Sequence, residues 1–293
     1  GLDNTVMGAD SFIGGGRGNL ITDTAAAALV LGGQYHTVQA PYGYIGGGWR
    51  NWLDSSYGGI SGGVLITARG IGVFVGGGAL HQTEGNYNVV GGGTLHTVTD
   101  TNHSVVVGGK TNTIRGRAQN FIGGGAHNLV DISNSVSSNE DRSGGGLVSG
   151  GVSNTVKGGL AAIGGGWLNV ARGDLATIAG GFRNSASGFA AAVGGGDDNS
   201  VLGAYGAISG GTDNQVAADR GFVGGGMGNV VEGAFGIVVG GFENEIGDDF
   251  AFIGGGSENI VNALSSGIMA GNRNSIFGNY AIIVGGDANV AMS

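Results

Sequence analysis

The chain has no cysteine and a single proline, Pro41, in 293 residues. Without cysteine, neither a disulfide nor a thiolate zinc site can form. A lone proline, with no Gly-X-Y period, excludes a collagen triple helix. No apolar run approaches the ~20 residues that a membrane-spanning helix needs, and no signal-peptide pattern opens the sequence, so membrane insertion is not expected. Positive charge is scarce and unevenly placed. Residues 1–173 hold nine Lys/Arg and nine Asp/Glu, whereas residues 174–293 hold three and twelve. The net charge of −9 therefore resides in the second half. A nucleic-acid partner would require a basic face, which this distribution does not supply.

Glycine is what the sequence has in excess, with 70 residues, but 41% of the chain is hydrophobic. A glycine-rich linker would instead be serine-rich and poor in apolar residues. Internal repetition explains the combination. From Asn154 an asparagine recurs every fifteen residues through Asn169, Asn184, Asn199, Asn214, Asn229, Asn244, Asn259, Asn274 and Asn289. The frame extends backwards through Asn128, Asn112, His96, His81, Ile66, Asn51, His36, Asn19 and Asn4, giving nineteen rungs. Between Asn128 and Asn154 the frame slips by eleven residues. An inserted loop is expected there, around 131–146, including the polar run Ser137 to Ser143.

Six residues before each asparagine position stands a β-branched residue, as at Ile13, Val30, Ile45, Val75, Ile163 and Val193. Two residues earlier the side chain is mostly small, as at Ala161, Ala176 and Ala191. Two residues after the asparagine comes a second apolar column, including Ile21, Val38, Val98, Val156 and Val201. Period-two spacing predicts strands with these columns facing inward. The expected fold is all-β: a two-strand-per-coil parallel β-solenoid, or β-roll, spanning residues 1–293 as one solenoid of about nineteen coils. At ~4.8 Å per coil it would form a rod roughly 85 Å long. Its two turns per coil call for glycine, through positive φ or the absence of a Cβ. The first glycine of the Gly-Gly-Gly triad alternates (Gly164, Ala179, Gly194, Ser209, Gly224, Val239), so the underlying unit is a thirty-residue pair of coils. The asparagines are expected to form an amide ladder. The sequence starts and stops in register with the repeat and shows no polar cap, so a longer protein or a capping partner is expected.

Motifs that suggest chemistry are largely absorbed by this frame. Val105 to Asn112 resembles the approach to a phosphate loop, but Ser104 replaces the first glycine and the repeat already accounts for Gly108, Gly109 and Asn112. His36, His81 and His96 occupy the asparagine column; two stacked imidazoles without a third ligand suit an amide-ladder substitute better than a metal site. No catalytic constellation emerges, and no cofactor is expected. Just before the asparagine column, Asp198, Asp213, Glu243 and Glu258 are bracketed by Arg183 and Arg273. Neutralisation by these arginines is favoured over Ca²⁺, which wants six or more oxygens. Aromatic residues concentrate at Tyr42, Trp49, Trp52 and Tyr57, a candidate patch for glycan or receptor contact, with packing of a turn or an interface as the alternative. Seven residues before the asparagine, an outward column includes Phe12, Tyr44, Phe74, Phe121, Phe222 and Phe252. An uncharged stripe of this kind exceeds what soluble monomers expose, so an oligomer interface is expected along it.

The stretch NTVKGGLAAIGGGWLNVARGDLATIAGGFRN (154–184) resembles the repeats of YadA-like heads in trimeric adhesins. It is still more similar to the glycine-rich arrays of phage and bacterial tail-fibre proteins. The resemblance implies a homotrimeric, extracellular fibre on a virion or cell surface, holding a receptor- or glycan-binding surface without catalysis. A polysaccharide-depolymerase tailspike is one alternative. A second is ice binding, since His36 to Val38 and Asn154 to Val156 also resemble a grass antifreeze β-roll. The outward column Thr5, Leu20, Thr37, Trp52, Thr67, Gln82 and Thr97 is too irregular for an ice face.

Overall fold

Fifteen residues suffice for two short strands and the turns between them, and each coil forms just these. The computed structural model describes residues 1–133 and 144–292. It contains thirty-seven strands, mostly of two residues, from β1 (Thr5–Val6) to β37 (Val290–Ala291), and no helix among the described residues. Nineteen odd-numbered strands follow the asparagine and eighteen even-numbered ones precede the glycine turn, giving eighteen to nineteen coils of a parallel β-solenoid. The chain divides into two compact units, residues 1–153 and 154–293. In the first, Thr37, Trp52, Thr67, Gln82 and Thr97 pair in succession across coils. In the second, Gln215, Val230, Glu245 and Ile260 do the same. Of the expected insertion, residues 134–143, with the quoted polar run, lie outside the described residues. The register resumes at Leu147, which pairs with Phe121.

The glycine turn is more than a reversal. The residue two before the asparagine forms a third, one-residue-wide parallel ladder. It runs through Gln34, Trp49, Val64 and Ala79 in the first unit and through Asp197, Thr212, Met227 and Phe242 in the second.

Positive φ is not reserved for glycine, contrary to the expectation from the turns. The residues one and nine positions before the asparagine adopt the left-handed conformation even as Arg50, Leu65, Tyr57 or Phe250. Such residues typically cost 1–3 kcal/mol of strain each. Hydrogen-bond direction explains their persistence. Strand amides donate to the following coil, as Thr37 N–H does to Asn51 O at 3.0 Å, whereas Arg50 N–H donates back to Gln34 O at 2.9 Å. The left-handed turn swings the amide towards the preceding coil, so every coil is bonded in both directions.

The core is a file of fully buried Ile and Val, including Ile21, Val38, Ile163, Val201 and Ile253. Each contributes about 1.5–3 kcal/mol of burial. Beside it runs the asparagine ladder. Asn199 Oδ1 accepts from the backbone N–H and Nδ2 of Asn214 at 3.2 and 3.0 Å. Its Nδ2 donates to Gly195 O and Gly211 O at 3.0 and 2.9 Å. Ile66 offers no acceptor and interrupts the ladder between Asn51 and His81.

Candidate functional site

The four aromatics that cluster in the sequence lie on three different faces. Tyr42 and Tyr57 occupy the left-handed position nine residues before Asn51 and Ile66. Because successive coils repeat that conformation, their rings stack 4.7 Å apart at 6°. Both are exposed, and each covers one face of the other. Trp49 sits in the bridge ladder at the glycine turn, with the Arg50 guanidinium 4.5 Å from its ring centroid. Trp52 opens β7 (Trp52–Ser56) in the odd-numbered sheet. Over its ring, at 4.3 Å, lies Arg69 of β9 (Thr67–Ile71), which pairs with Glu84 at 3.0 Å. The structure thus brings Tyr42 to Tyr57 and separates both from the tryptophans.

Trp52 also ends a shallow groove of about 400 Å³. Leu65, Leu80 and Leu95, from three successive coils, form one wall; Thr67, Gln82 and Arg69 form the other. The three leucines share the left-handed position before the rung, which turns their side chains outward, where they are exposed. The indole N–H of Trp52 has no acceptor among the described residues.

The second unit carries a corner ladder that local clustering in the sequence does not reveal. Arg220 lies 5.4 Å from the Tyr205 ring centroid and 5.2 Å from that of Phe235, and Phe235 stacks on Phe250 at 4.9 Å and 8°. These residues recur fifteen apart, nine before the asparagine, and that periodicity is the signal by which they could have been found. A second polar ladder went equally unseen. Asn88 and Asn120 fall in the column of small side chains: Asn88 Oδ1 accepts from Ser104 N–H at 2.9 Å, and Asn120 Oδ1 from Gly146 N–H at 3.0 Å.

The column seven residues before the asparagine points outward on the even-numbered strands. Phe74, Val89, Val105 and Phe121 are in register in the first unit. Ala207, Phe222, Ile237 and Phe252 are in register in the second. Phe12 is 59% exposed and Phe74 43%; Phe121 is also exposed, while Tyr44, Phe222 and Phe252 are half-buried.

His36, His81 and His96 are fully buried in the rung column. Each takes over the amide's acceptor role: Nδ1 of His81 accepts from His96 N–H at 3.2 Å, and Nδ1 of His96 from Asn112 N–H at 3.2 Å. Burial lowers all three pKa values, that of His81 to about 4 with a further contribution from the charge of His96. The His81 and His96 rings are parallel within 2°, centroids 4.9 Å apart. Their nitrogen lone pairs run side by side at that separation. An ion bound at about 2.0–2.1 Å in the plane of one ring cannot also lie in the plane of the other.

In the acidic column, Arg183 pairs with Asp198 and approaches Asp197 at 3.8 Å. Arg273 pairs at 2.9 Å with Asp287 of the following coil rather than with Glu258. Lys110 lies in the bridge ladder beside Gly109, whose φ of 96° falls within the 80–124° found from Gly16 to Gly286 in its column. Among known proteins, no family model matches the chain and no curated protein shows significant sequence similarity to it.

Proposed function

We propose that this chain is a non-catalytic, adhesive segment of an extracellular fibre, on a virion or cell surface, that presents a receptor- or glycan-binding face. The observation that carries this reading is the outward column of the even-numbered strands. At that position eleven of the eighteen coils carry Phe, Ile, Val or Leu, among them the exposed Phe12, Phe74, Phe121, Ile237 and Ile282, and none carries a charge. Regular exposure of this kind serves association between chains that share the same coil spacing. The resemblance to YadA-like heads and tail-fibre arrays supports three copies around an axis.

Mass measurement in solution tests the reading. A trimer is expected, and a stable monomer of 28.7 kDa would overturn it. Phe222→Asp combined with Phe252→Asp should dissociate or aggregate the assembly. Thr155→Asp, on the odd-numbered sheet, should leave it intact.

A further inference from the structure

The groove ended by Trp52 has a regularity that its size alone does not convey. Each coil supplies one aliphatic and one hydrogen-bonding residue: Leu65 with Thr67, then Leu80 with Gln82. Any occupant touching both pairs must repeat its own amphipathic character once per coil, about every 4.8 Å. An extended peptide advances ~3.3 Å per residue and would fall out of step. A β-linked chain of pyranose rings advances by close to one coil per sugar, and each ring carries an apolar C–H face and a rim of hydroxyls. Charge narrows the choice further. The groove's one cation, Arg69, is already paired with Glu84, so no net charge awaits an acidic sugar.

We infer that the groove lined by Trp52, Leu65, Thr67, Leu80, Gln82 and Leu95 binds a linear, neutral, β-linked polysaccharide running along the coil axis. This assignment rests on the glycan-binding reading above and locates it. The leucines meet the apolar ring faces, and Thr67 and Gln82 meet the hydroxyls. Gln82 donates through Nε2 to Glu84 at 3.2 Å, which leaves its carbonyl oxygen for a sugar hydroxyl. At the Trp52 end, Arg69 swings off the indole and a sugar hydroxyl supplies the acceptor that the Trp52 N–H lacks.

Titration of the full chain with a neutral β-1,4-linked hexasaccharide, followed by calorimetry and tryptophan fluorescence, tests the assignment. A β-1,4-linked hexamannuronate serves as the anionic comparison. Leu80→Asp suits the backbone, because Asp198 and Asp213 occupy the equivalent left-handed position. Leu80→Asp and Trp52→Ala should each weaken binding at least tenfold, while Trp167→Ala, in the other unit, should leave it unchanged. Equal binding by the wild type and Leu80→Asp would overturn the groove and leave the glycan reading standing. Tighter binding of the hexamannuronate would overturn the neutral ligand. Should the wild type bind no hexasaccharide yet adhere to cells in a periodate-sensitive way, only the groove fails. Should it do neither, the glycan reading fails with it.

Discussion

At the scale of single residues, the glycine triad combines two different requirements with one position that shows none. Gly166 has φ of 86°, and a Cβ there would overlap the carbonyl oxygen of Gly181. Gly164 has ordinary φ, but a Cβ would overlap the carbonyl of Ala179, which is why alternate coils need glycine at that position. Around Gly165 a Cβ would meet nothing within 4 Å, and nothing in the structure explains glycine there. Gly166→Ala should therefore destabilise the second unit by about 2 kcal/mol or more, combining left-handed strain with the overlap. Gly165→Ala should change stability by less than about 0.5 kcal/mol. Denaturant midpoints of the two variants against the wild type give the comparison.

At the scale of the element, the histidine rungs make one stretch of ladder acid-sensitive. With a folded pKa of about 4 against 6.5 unfolded, His81 binds fewer protons in the folded state between those values. Stability is then full above pH 6.5 and falls as the pH drops towards 4, by on the order of 3 kcal/mol from this residue. His36 and His96 act in the same direction. His81→Asn restores the amide found at most other rungs. The fall in melting temperature between pH 7 and pH 4.5 should be visibly smaller in this variant than in the wild type, and an equal fall would refute the assignment. The asparagine ladder and the apolar files were legible in the sequence because their inward side chains repeat in type from rung to rung. The left-handed corners were not, since hydrogen-bond direction between coils sets them and residues as different as Arg50 and Phe250 comply. Tyr42, Trp49, Trp52 and Tyr57 do not share one face for a related reason: neighbours along a tight coil face different ways, whereas residues fifteen apart share a face.

At the scale of the whole molecule, the alternation of Gly164, Ala179, Gly194 and Ser209 makes two coils, rather than one, the quantity that can be added or lost. Excising residues 200–229 joins Asn199 to Val230, equivalent in column to Ser200, and places the Gly194 coil beside the Val239 coil, as it was beside Ser209. Such a chain should fold with the parent's β-sheet circular dichroism and nearly its melting temperature. Excising residues 200–230 leaves a coil one residue shorter than the fifteen that two strands and their turns use, and should lower the melting temperature well below the parent's. Recombination between neighbouring repeats would therefore lengthen or shorten the molecule in steps of thirty residues. Number of coils is a property that selection can adjust without having to find a new fold.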